Sequence, residues 1–237
     1  MSAAAGAILL CTGFAAHAGS LLLDHTRLDL SPRQPVAEMA IENNGTTPAL
    51  VQSQIYAWSQ VAGVDQLTPS DALLVSPPIF EIAPGARQLV RVGMLGAADP
   101  SRETPYRVIF QEVPLPTESE GVAVAVLLRI SFPVFVAPAA ATASADLQWR
   151  AARTSDDRIE VTLSNVGNGH VQVTGLDLTG ADGEALASSG SFLAYVLPGQ
   201  QRSWSFELDA PPSDRRLRLK AVTGQGEVLT ELELEGS

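Results

Sequence analysis

Cysteine is nearly absent from this chain, which has Cys11 as its single cysteine in 237 residues. An internal disulfide is therefore excluded, and the fold must be stabilised by apolar burial, for which the length is sufficient. Histidine is also scarce: the chain has His17, His25 and His170 and no His-x-x-x-His motif. Because cysteine and histidine are the usual ligands of transition metals, their scarcity leads us to expect no metal and no cofactor.

Catalytic motifs are missing as well. The sequence has no Gly-x-x-x-x-Gly-Lys phosphate loop and no Gly-x-Ser-x-Gly nucleophile motif. Asp24 and His25 could form a triad with a distant serine, but an adjacent Asp-His pair in a strand is more often a surface pair. The carboxylates show no spacing typical of paired acid/base catalysis. We therefore predict no catalytic residues and a protein that is not an enzyme.

Positive charge comes almost entirely from arginine, because Lys220 is the one lysine among 15 basic residues. The formal net charge is -11, which argues against a nucleic-acid partner. Arginine binds carboxylates through two parallel hydrogen bonds, so carboxylate recognition is compatible with this composition.

The first 18 residues predict a signal peptide. They are apolar and end in Ala16-His17-Ala18, a small-x-small pattern that suits signal peptidase. Cleavage there would make Gly19 the first residue of an exported chain without cysteine. The stretch is short for a bilayer-spanning helix and no later one is long enough, so we expect no direct membrane insertion.

Residues 19–138 read as a first all-β domain of roughly seven strands, the number typical of an immunoglobulin-like sandwich. Asn43-Asn44-Gly45 predicts a hairpin, because these residues tolerate the positive φ of a tight turn. Val64 to Asp71 reads as a polar loop. The proline-rich segment from Ser76 to Gly85 should lie at a sheet edge, since proline cannot donate to a central ladder.

Residues 139–145 are small and uncharged and predict a linker, and residues 146–237 predict a second β-sandwich. Turn formers separate seven strand candidates in this domain, and no amphipathic helix longer than a turn or two is evident. The candidates are Asp146–Ala151, Arg158–Asn165, His170–Leu178, Ser191–Val196, Gln200–Leu208, Arg215–Val222 and Glu227–Leu234.

The longest apolar strand pattern runs from Gly121 to Val136 and contains a single charge, Arg129. Strand side chains alternate between two faces, and both faces of the first half are apolar. Two interpretations stay open: a central core strand, or an edge strand lent to another protein.

These segments together resemble the PapD-like periplasmic chaperones of the chaperone–usher pilus pathway, most closely the archaic, spore-coat-like branch. The likeness lies in the order and spacing of several short motifs. They are Leu23-Asp-His-Thr-Arg27, Ile41-Glu-Asn-Asn-Gly45, Pro77-Pro-Ile-Phe80, Pro84-Gly85, Gln88-Leu-Val-Arg-Val92, Tyr106-Arg107, Glu112-Val-Pro114 and the long strand before Pro138.

The resemblance implies two immunoglobulin-like domains in an L shape and a periplasmic location. It also implies pilin subunits as partners, and an outer-membrane usher that receives them. On this reading Val122, Val124, Val126 and Leu128 enter the groove of a subunit that lacks a strand, while Ala123, Ala125 and Leu127 face the core of the chaperone. The family binds the subunit's C-terminal carboxylate with two cleft cations. Arg27 matches the first, and Arg129 is the candidate for the second.

Two alternative functions remain at this point. The chain could be a secreted structural or adhesin subunit of a surface fibre, although such subunits often carry a disulfide. It could also be an exported β-sandwich enzyme, which the missing catalytic residues argue against. The free chaperone would have to hide its apolar valine row, so we also expect self-association.

Overall fold

The computed structural model describes residues 21–114, 127–155, 157–208, 212 and 214–236. All regular structure within these ranges is β-strand, which confirms the all-β prediction. In chain order the strands are Leu21–Leu23 (β1), Leu28–Leu30 (β2), Val36–Asn43 (β3), Ala49–Val61 (β4), Val64–Pro69 (β5), Leu73–Ser76 (β6), Ile79–Ile82 (β7), Arg87–Met94 (β8), Thr104–Val113 (β9), Arg129–Val136 (β10), Leu147–Ser155 (β11), Arg158–Asn165 (β12), Val171–Gly180 (β13), Ala185–Ser188 (β14), Ala194–Val196 (β15), Gln201–Glu207 (β16), Arg216–Thr223 (β17) and Gly226–Glu235 (β18). Among the described residues, no helix has the length and hydropathy needed to cross a bilayer.

Strands β1 to β10 form a sandwich of two sheets. One sheet has the order β1-β3-β8-β6, and the other has the order β2-β10-β9-β4-β5 with β7 also paired to β4. The alternation of β3 buries Met39 and Ile41 between the sheets, where they meet Val90 and Val92 of β8 and Phe110 of β9. Period-two alternation thus gives each sheet one core face and one outer face.

The segment Asn43-Asn44-Gly45 does not form the predicted hairpin. Strand β3 pairs with β1 and β8, whereas β4 lies in the opposite sheet, so the connection crosses between sheets. The buried amide of Asn43 donates to the carbonyl oxygens of Thr47 and Ile82, and its Oδ1 accepts from Gly45 N–H. The Asn43 side chain therefore stabilises the crossing between the two sheets through these backbone bonds and does not form a tight hairpin turn.

The predicted loop from Val64 to Asp71 is largely strand β5, which pairs with the second half of β4. A two-residue turn joins them, with φ of 50° at Ala62 and 77° at Gly63. All six residues of β5 are exposed, so the strand has no apolar alternation that the sequence could reveal. The proline-rich segment was predicted correctly: among described strands, β6 pairs with β8 alone and β7 with β4 alone.

Strands β11 to β18 form the second sandwich, and each of the seven strand candidates predicted there overlaps a strand. The short, alanine-containing β14 was not predicted. Residues 137–146, between β10 and β11, carry no strand and are mostly exposed, but the backbone of Ser144 accepts hydrogen bonds from Asn168 and Gly169 in the β12–β13 loop. A Cβ atom at Gly167 would lie 2.3 Å from the carbonyl oxygen of Ser144, so only glycine allows the β12–β13 loop to pack against this connection.

The long apolar pattern corresponds in part to β10, while Val122, Val124 and Val126 lie outside the described residues. Strand β10 pairs with β9 along all eight of its residues, but β2 pairs in parallel with the last three only. Leu128 is half-buried just before β10. Leu127 is 41% exposed, so the expectation that it faces the chaperone core is wrong; it falls on the same side of the strand as the exposed Arg129.

Candidate functional site: the cleft between the sandwiches

The outer face of the β2-β10-β9-β4-β5 sheet is covered partly by the second sandwich. Trp58 and Phe135 of the first sandwich form a buried cluster with Tyr195 and Leu197 of the second. The buried side chain of Gln60 connects both parts, because it donates to the carbonyl oxygen of Tyr195 at 2.9 Å and accepts from Leu197 N–H at 3.1 Å. This contact joins the two sandwiches.

A buried polar pair joins the two sandwiches beside this cluster. The Nδ1 atom of His170 lies 2.7 Å from Oε1 of Glu103, and that same oxygen accepts from the backbone N–H of His170 at 2.9 Å. The imidazole stacks on Phe135 with ring centroids 3.5 Å apart and an interplanar angle of 8°. His170 is therefore a structural residue of the interface. No cluster of potential metal ligands occurs among the described residues.

Replacing Glu103 by alanine should weaken the coupling of the two sandwiches. The change leaves the buried imidazole and backbone N–H of His170 without an acceptor, which costs about 2–3 kcal/mol of unfolding free energy. We expect the single denaturation transition to separate into two, the first at lower denaturant concentration. The exposed Glu81 on β7 provides the control, because Glu81→Ala removes no interdomain bond. Unchanged, single-step unfolding of Glu103→Ala would contradict this role.

The segment before β2 is held in place by Asp24. Its Oδ1 accepts from Ala40 N–H at 2.9 Å and lies 2.6 Å from His25 Nδ1, and its Oδ2 pairs with the guanidinium of Arg87. Burial raises the pKa of Asp24, but these hydrogen bonds outweigh that effect, so the pKa is lowered overall. Within the described ranges, the His25 ring has Asp24 as its one hydrogen-bond partner.

Arg27 directly precedes β2 and lies on the cleft side of the sheet. Leu28 and Leu30 point into the core, so Arg27 and Asp29 point outward by strand alternation. The Nε atom of Arg27 donates to Asp29 Oδ2 at 3.0 Å, and the side chain is 39% exposed. Arg27 contributes to a cleft of about 180 Å³ that is also lined by Glu103 and His170. A cation in such a cleft could bind an anion.

Arg107 is a second cation in the same row of the sheet, and no binding role was predicted for it from the sequence. It lies opposite Pro133 of β10 on strand β9. In the parallel pairing of β2 with β10, Leu28 lies opposite Val134. Arg27 is one residue earlier and therefore lies beside Pro133, at the edge of β10 that faces away from β9. The two arginines therefore flank β10 at one height.

The guanidinium of Arg107 stacks on aromatic rings and has no anionic partner among the described residues. Its Cζ atom lies 3.6 Å from the ring centroid of Trp58 and 5.6 Å from that of Tyr195. Burial lowers the pKa of Arg107, and the more distant charge of Asp65 opposes the shift. Burial raises the pKa of Tyr195, an effect that the charges of Arg27 and Arg107 oppose.

Arg129, the second cation proposed from the sequence, lies elsewhere on the sheet. It is exposed at the start of β10, opposite Gln111. Four strand positions separate it from Pro133, which corresponds to roughly 13 Å at the rise of an extended chain. The register thus places Arg27 and Arg107 on either side of β10 at the level of Pro133, whereas a role for Arg129 stays a prediction.

Known proteins resemble this chain both in sequence and in fold. Residues 20–142, about half of the chain, match the model described as pili and flagellar-assembly chaperone, PapD N-terminal domain. A curated relative, the chaperone protein FimB/FhaD of Bordetella pertussis, is 29% identical over 161 residues, or 62% of this chain. The matched segment spans 65% of the length of that relative, which is less than two thirds.

Solved structures with the same architecture cover nearly the whole chain. A CsuC–CsuE chaperone–tip subunit pre-assembly complex from the archaic Csu pili of Acinetobacter baumannii contains a chain with a TM-score of 0.67 and 19% identity, which covers 92% of this chain and 100% of its own. A chain from a Salmonella enterica complex of SafA pilin with the SafB chaperone has a TM-score of 0.63 and 20% identity. The match covers 93% of the present chain and 99% of the matched chain. At these identities the likeness shows the fold of two β-sandwich domains.

Proposed function

Because this chain belongs to the family of pili and flagellar-assembly chaperones, we propose that it binds, stabilises and caps pilus subunits in the periplasm by donor-strand complementation. It then delivers them to an outer-membrane usher. The likeness to an archaic Csu chaperone complex supports the archaic branch for this protein. Family membership also favours an assembly chaperone over a structural fibre subunit or an enzyme.

The main support for this function is strand β10, which is paired along only part of one edge. Between Arg129 and Pro133, its backbone on the side of β2 is bonded to no described strand. An unpaired strand edge is a template for a strand from another chain. Strand β10 therefore offers the edge that a subunit with a missing strand requires.

The register also gives the place where a bound strand would end. Strand β2 occupies the same edge from Leu28 onward, opposite Val134, so an incoming strand must stop before Leu28. Arg27 lies at that junction. A subunit strand that runs parallel to β10 would bring its C-terminal carboxylate to Arg27, where a charge-assisted hydrogen bond fixes the register.

The side chains of the lent strand follow from the same alternation. Ile130 packs against the core of the first sandwich, and Leu128 falls on the same side two residues earlier. Continued at period two, this row includes Val122, Val124 and Val126. We propose that these four residues fill the subunit groove and extend the chaperone core into the subunit.

Val124→Thr tests the lent strand, because threonine keeps the β-branched shape and adds a hydroxyl group. A hydroxyl without a partner in the subunit groove costs roughly 1–3 kcal/mol, so subunit capture should fall by about tenfold or more. The free protein should melt as wild type does. The measurement is the amount of subunit recovered with the affinity-tagged variant from periplasm.

Leu127→Thr is the matched control, since Leu127 is exposed and lies on the opposite side of the strand. It should capture subunit normally. A Val124→Thr protein that melts several degrees lower yet captures subunit like wild type would show that Val124 belongs to the protein's own core. The predicted self-association of the free chaperone should also weaken in Val124→Thr, which sedimentation at several concentrations would measure.

A further inference from the structure

We propose that Asn44 is a site of spontaneous chemical modification, at which the side-chain amide is lost and isoaspartate forms in the connection between β3 and β4. The chain contains two Asn-Gly sequences, Asn44-Gly45 and Asn168-Gly169. Glycine favours this reaction because it has no side chain that hinders the attack of its backbone nitrogen. The structure leaves the first pair open to the reaction and protects the second.

The reaction is an intramolecular cyclisation followed by hydrolysis. Hydroxide removes the proton from the backbone nitrogen of Gly45, and this nitrogen attacks the Cγ atom of Asn44. The new N–Cγ bond closes a five-membered succinimide ring, and the Cγ–Nδ2 bond breaks with release of ammonia after the leaving nitrogen takes up a proton from water. Water then opens the ring at either carbonyl group, which yields aspartate or isoaspartate. The reaction therefore requires only water and hydroxide.

The Asn44 side chain is free to reach the reactive geometry. It is exposed, and it forms no hydrogen bond with a described residue. Within the described ranges, the nitrogen of Gly45 is bonded once, because its N–H donates to Asn43 Oδ1 at 2.9 Å. A single hydrogen bond in an exposed connection opens easily, so the nitrogen becomes available for attack.

Asn168 also precedes a glycine, but its side chain is held on both sides. Its Nδ2 donates to the carbonyl oxygens of Ser101 at 2.9 Å and Thr142 at 3.2 Å, and its Oδ1 accepts from Ser144 N–H at 2.8 Å. The N–H of Gly169 donates to the carbonyl oxygen of Ser144 at 3.0 Å. Cyclisation here requires all of these bonds to break together, so Asn168 keeps its amide while the protein is folded.

Isoaspartate at position 44 would disrupt the hydrogen bonds of Asn43 at the crossing between the two sheets. The bond from Gly45 N–H to Asn43 Oδ1 spans residue 44. Isoaspartate directs the main chain through its own side chain and so inserts one additional carbon atom into this short segment. Aspartate adds the same negative charge but leaves the backbone unchanged. Only the isoaspartate product should therefore destabilise the first sandwich.

The second sandwich has the same arrangement without a reactive residue inside it. Asn165 ends β12, its Nδ2 donates to the carbonyl oxygens of Gly169 and Val196, and its Oδ1 accepts from Gly167 N–H at 3.1 Å. The residue between Asn165 and Gly167 is Val166, which has no amide to lose. The sensitivity to modification is thus specific to the crossing in the first sandwich.

The test follows both Asn-Gly pairs in folded wild-type protein kept in mildly alkaline buffer. Peptide mapping by mass spectrometry measures the conversion of amide to acid, and electron-transfer fragmentation distinguishes isoaspartate from aspartate. Asn44 should convert at least about tenfold faster than Asn168. In urea, where neither environment persists, both should convert at similar rates. Asn44→Gln should remove the conversion at position 44, because glutamine would have to close a larger ring, and should leave Asn168 unchanged.

Thermal melting separates the added charge from the added backbone atom. The isoaspartate fraction should melt several degrees below wild type, whereas Asn44→Asp should melt as wild type does. Equal conversion of Asn44 and Asn168 in the folded protein would overturn the assignment, as would an Asn44 that converts in urea but not in the folded protein. Equal melting of the isoaspartate fraction and Asn44→Asp would overturn the predicted effect on the hydrogen bonds of Asn43.

Discussion

Replacing Arg27 by alanine should abolish subunit capture and leave the free protein folded. Arg27 lies at the end of the free edge of β10, and its side chain is partly exposed, so it contributes little to the core. In the complex its loss would leave a buried carboxylate with one cation fewer, which costs about 2–5 kcal/mol of binding free energy. The melting temperature should stay within about 2 °C of wild type. Co-purification from periplasm and thermal melting together measure both effects.

Arg91 provides the matched control for this experiment. It lies on β8 in the opposite sheet of the same sandwich and pairs with Glu38 at the surface. Arg91→Ala removes an equal charge from the same domain and should capture subunit normally. Equal capture by Arg27→Ala and Arg91→Ala would show that Arg27 does not anchor a ligand.

The second large effect concerns Asn43, whose replacement by alanine should destabilise the first sandwich by about 3 kcal/mol. The side chain is 2% exposed and satisfies three backbone groups at the crossing between the two sheets. Alanine would leave the buried carbonyl oxygen of Ile82 without this donor and would also remove the bonds to the part-buried Thr47 carbonyl and Gly45 N–H, at roughly 1 kcal/mol for each bond. The melting temperature should fall by roughly 10 °C or more.

The adjacent Asn44 makes a close control, since it is exposed in the same loop. Asn44→Ala should change the unfolding free energy by less than about 0.5 kcal/mol. If both alanine variants melted alike, the cross-sheet hydrogen bonds of Asn43 would not be a determinant of stability.

The fold class and most strands follow from the sequence because burial imposes period-two alternation on them. Strand β12 is predicted to the residue, Arg158–Asn165, since its buried and outward positions alternate strictly. Strand β5 was missed because all of its residues are exposed, and a strand without a buried face carries no apolar pattern. Its signal was the Ala62-Gly63 turn alone.

Connections between sheets are harder to predict than strands. Asn43-Asn44-Gly45 has the composition of a hairpin turn, yet it joins β3 to a strand of the other sheet. Local turn chemistry does not determine which sheet the chain enters next, because that choice depends on long-range packing between residues such as Met39 and Phe110.

The candidate site was predictable only in part. A local sequence motif is sufficient to predict that Arg27 is a cleft cation. The position of Arg107 is not predictable in this way, because it depends on the register opposite Pro133 and on the contact with Trp58. The available signal was a charged residue within the apolar strand Thr104–Val113, which by itself does not distinguish a cleft cation from a solvated one.

Native mass spectrometry of the protein isolated from periplasm would detect a bound subunit directly. We expect a one-to-one complex with a secreted β-rich subunit whose C-terminal residues alternate apolar and polar, and dissociation of that complex in Arg27→Ala. A protein that is always isolated without such a subunit, or a complex that survives both Arg27→Ala and Val124→Thr unchanged, would contradict it.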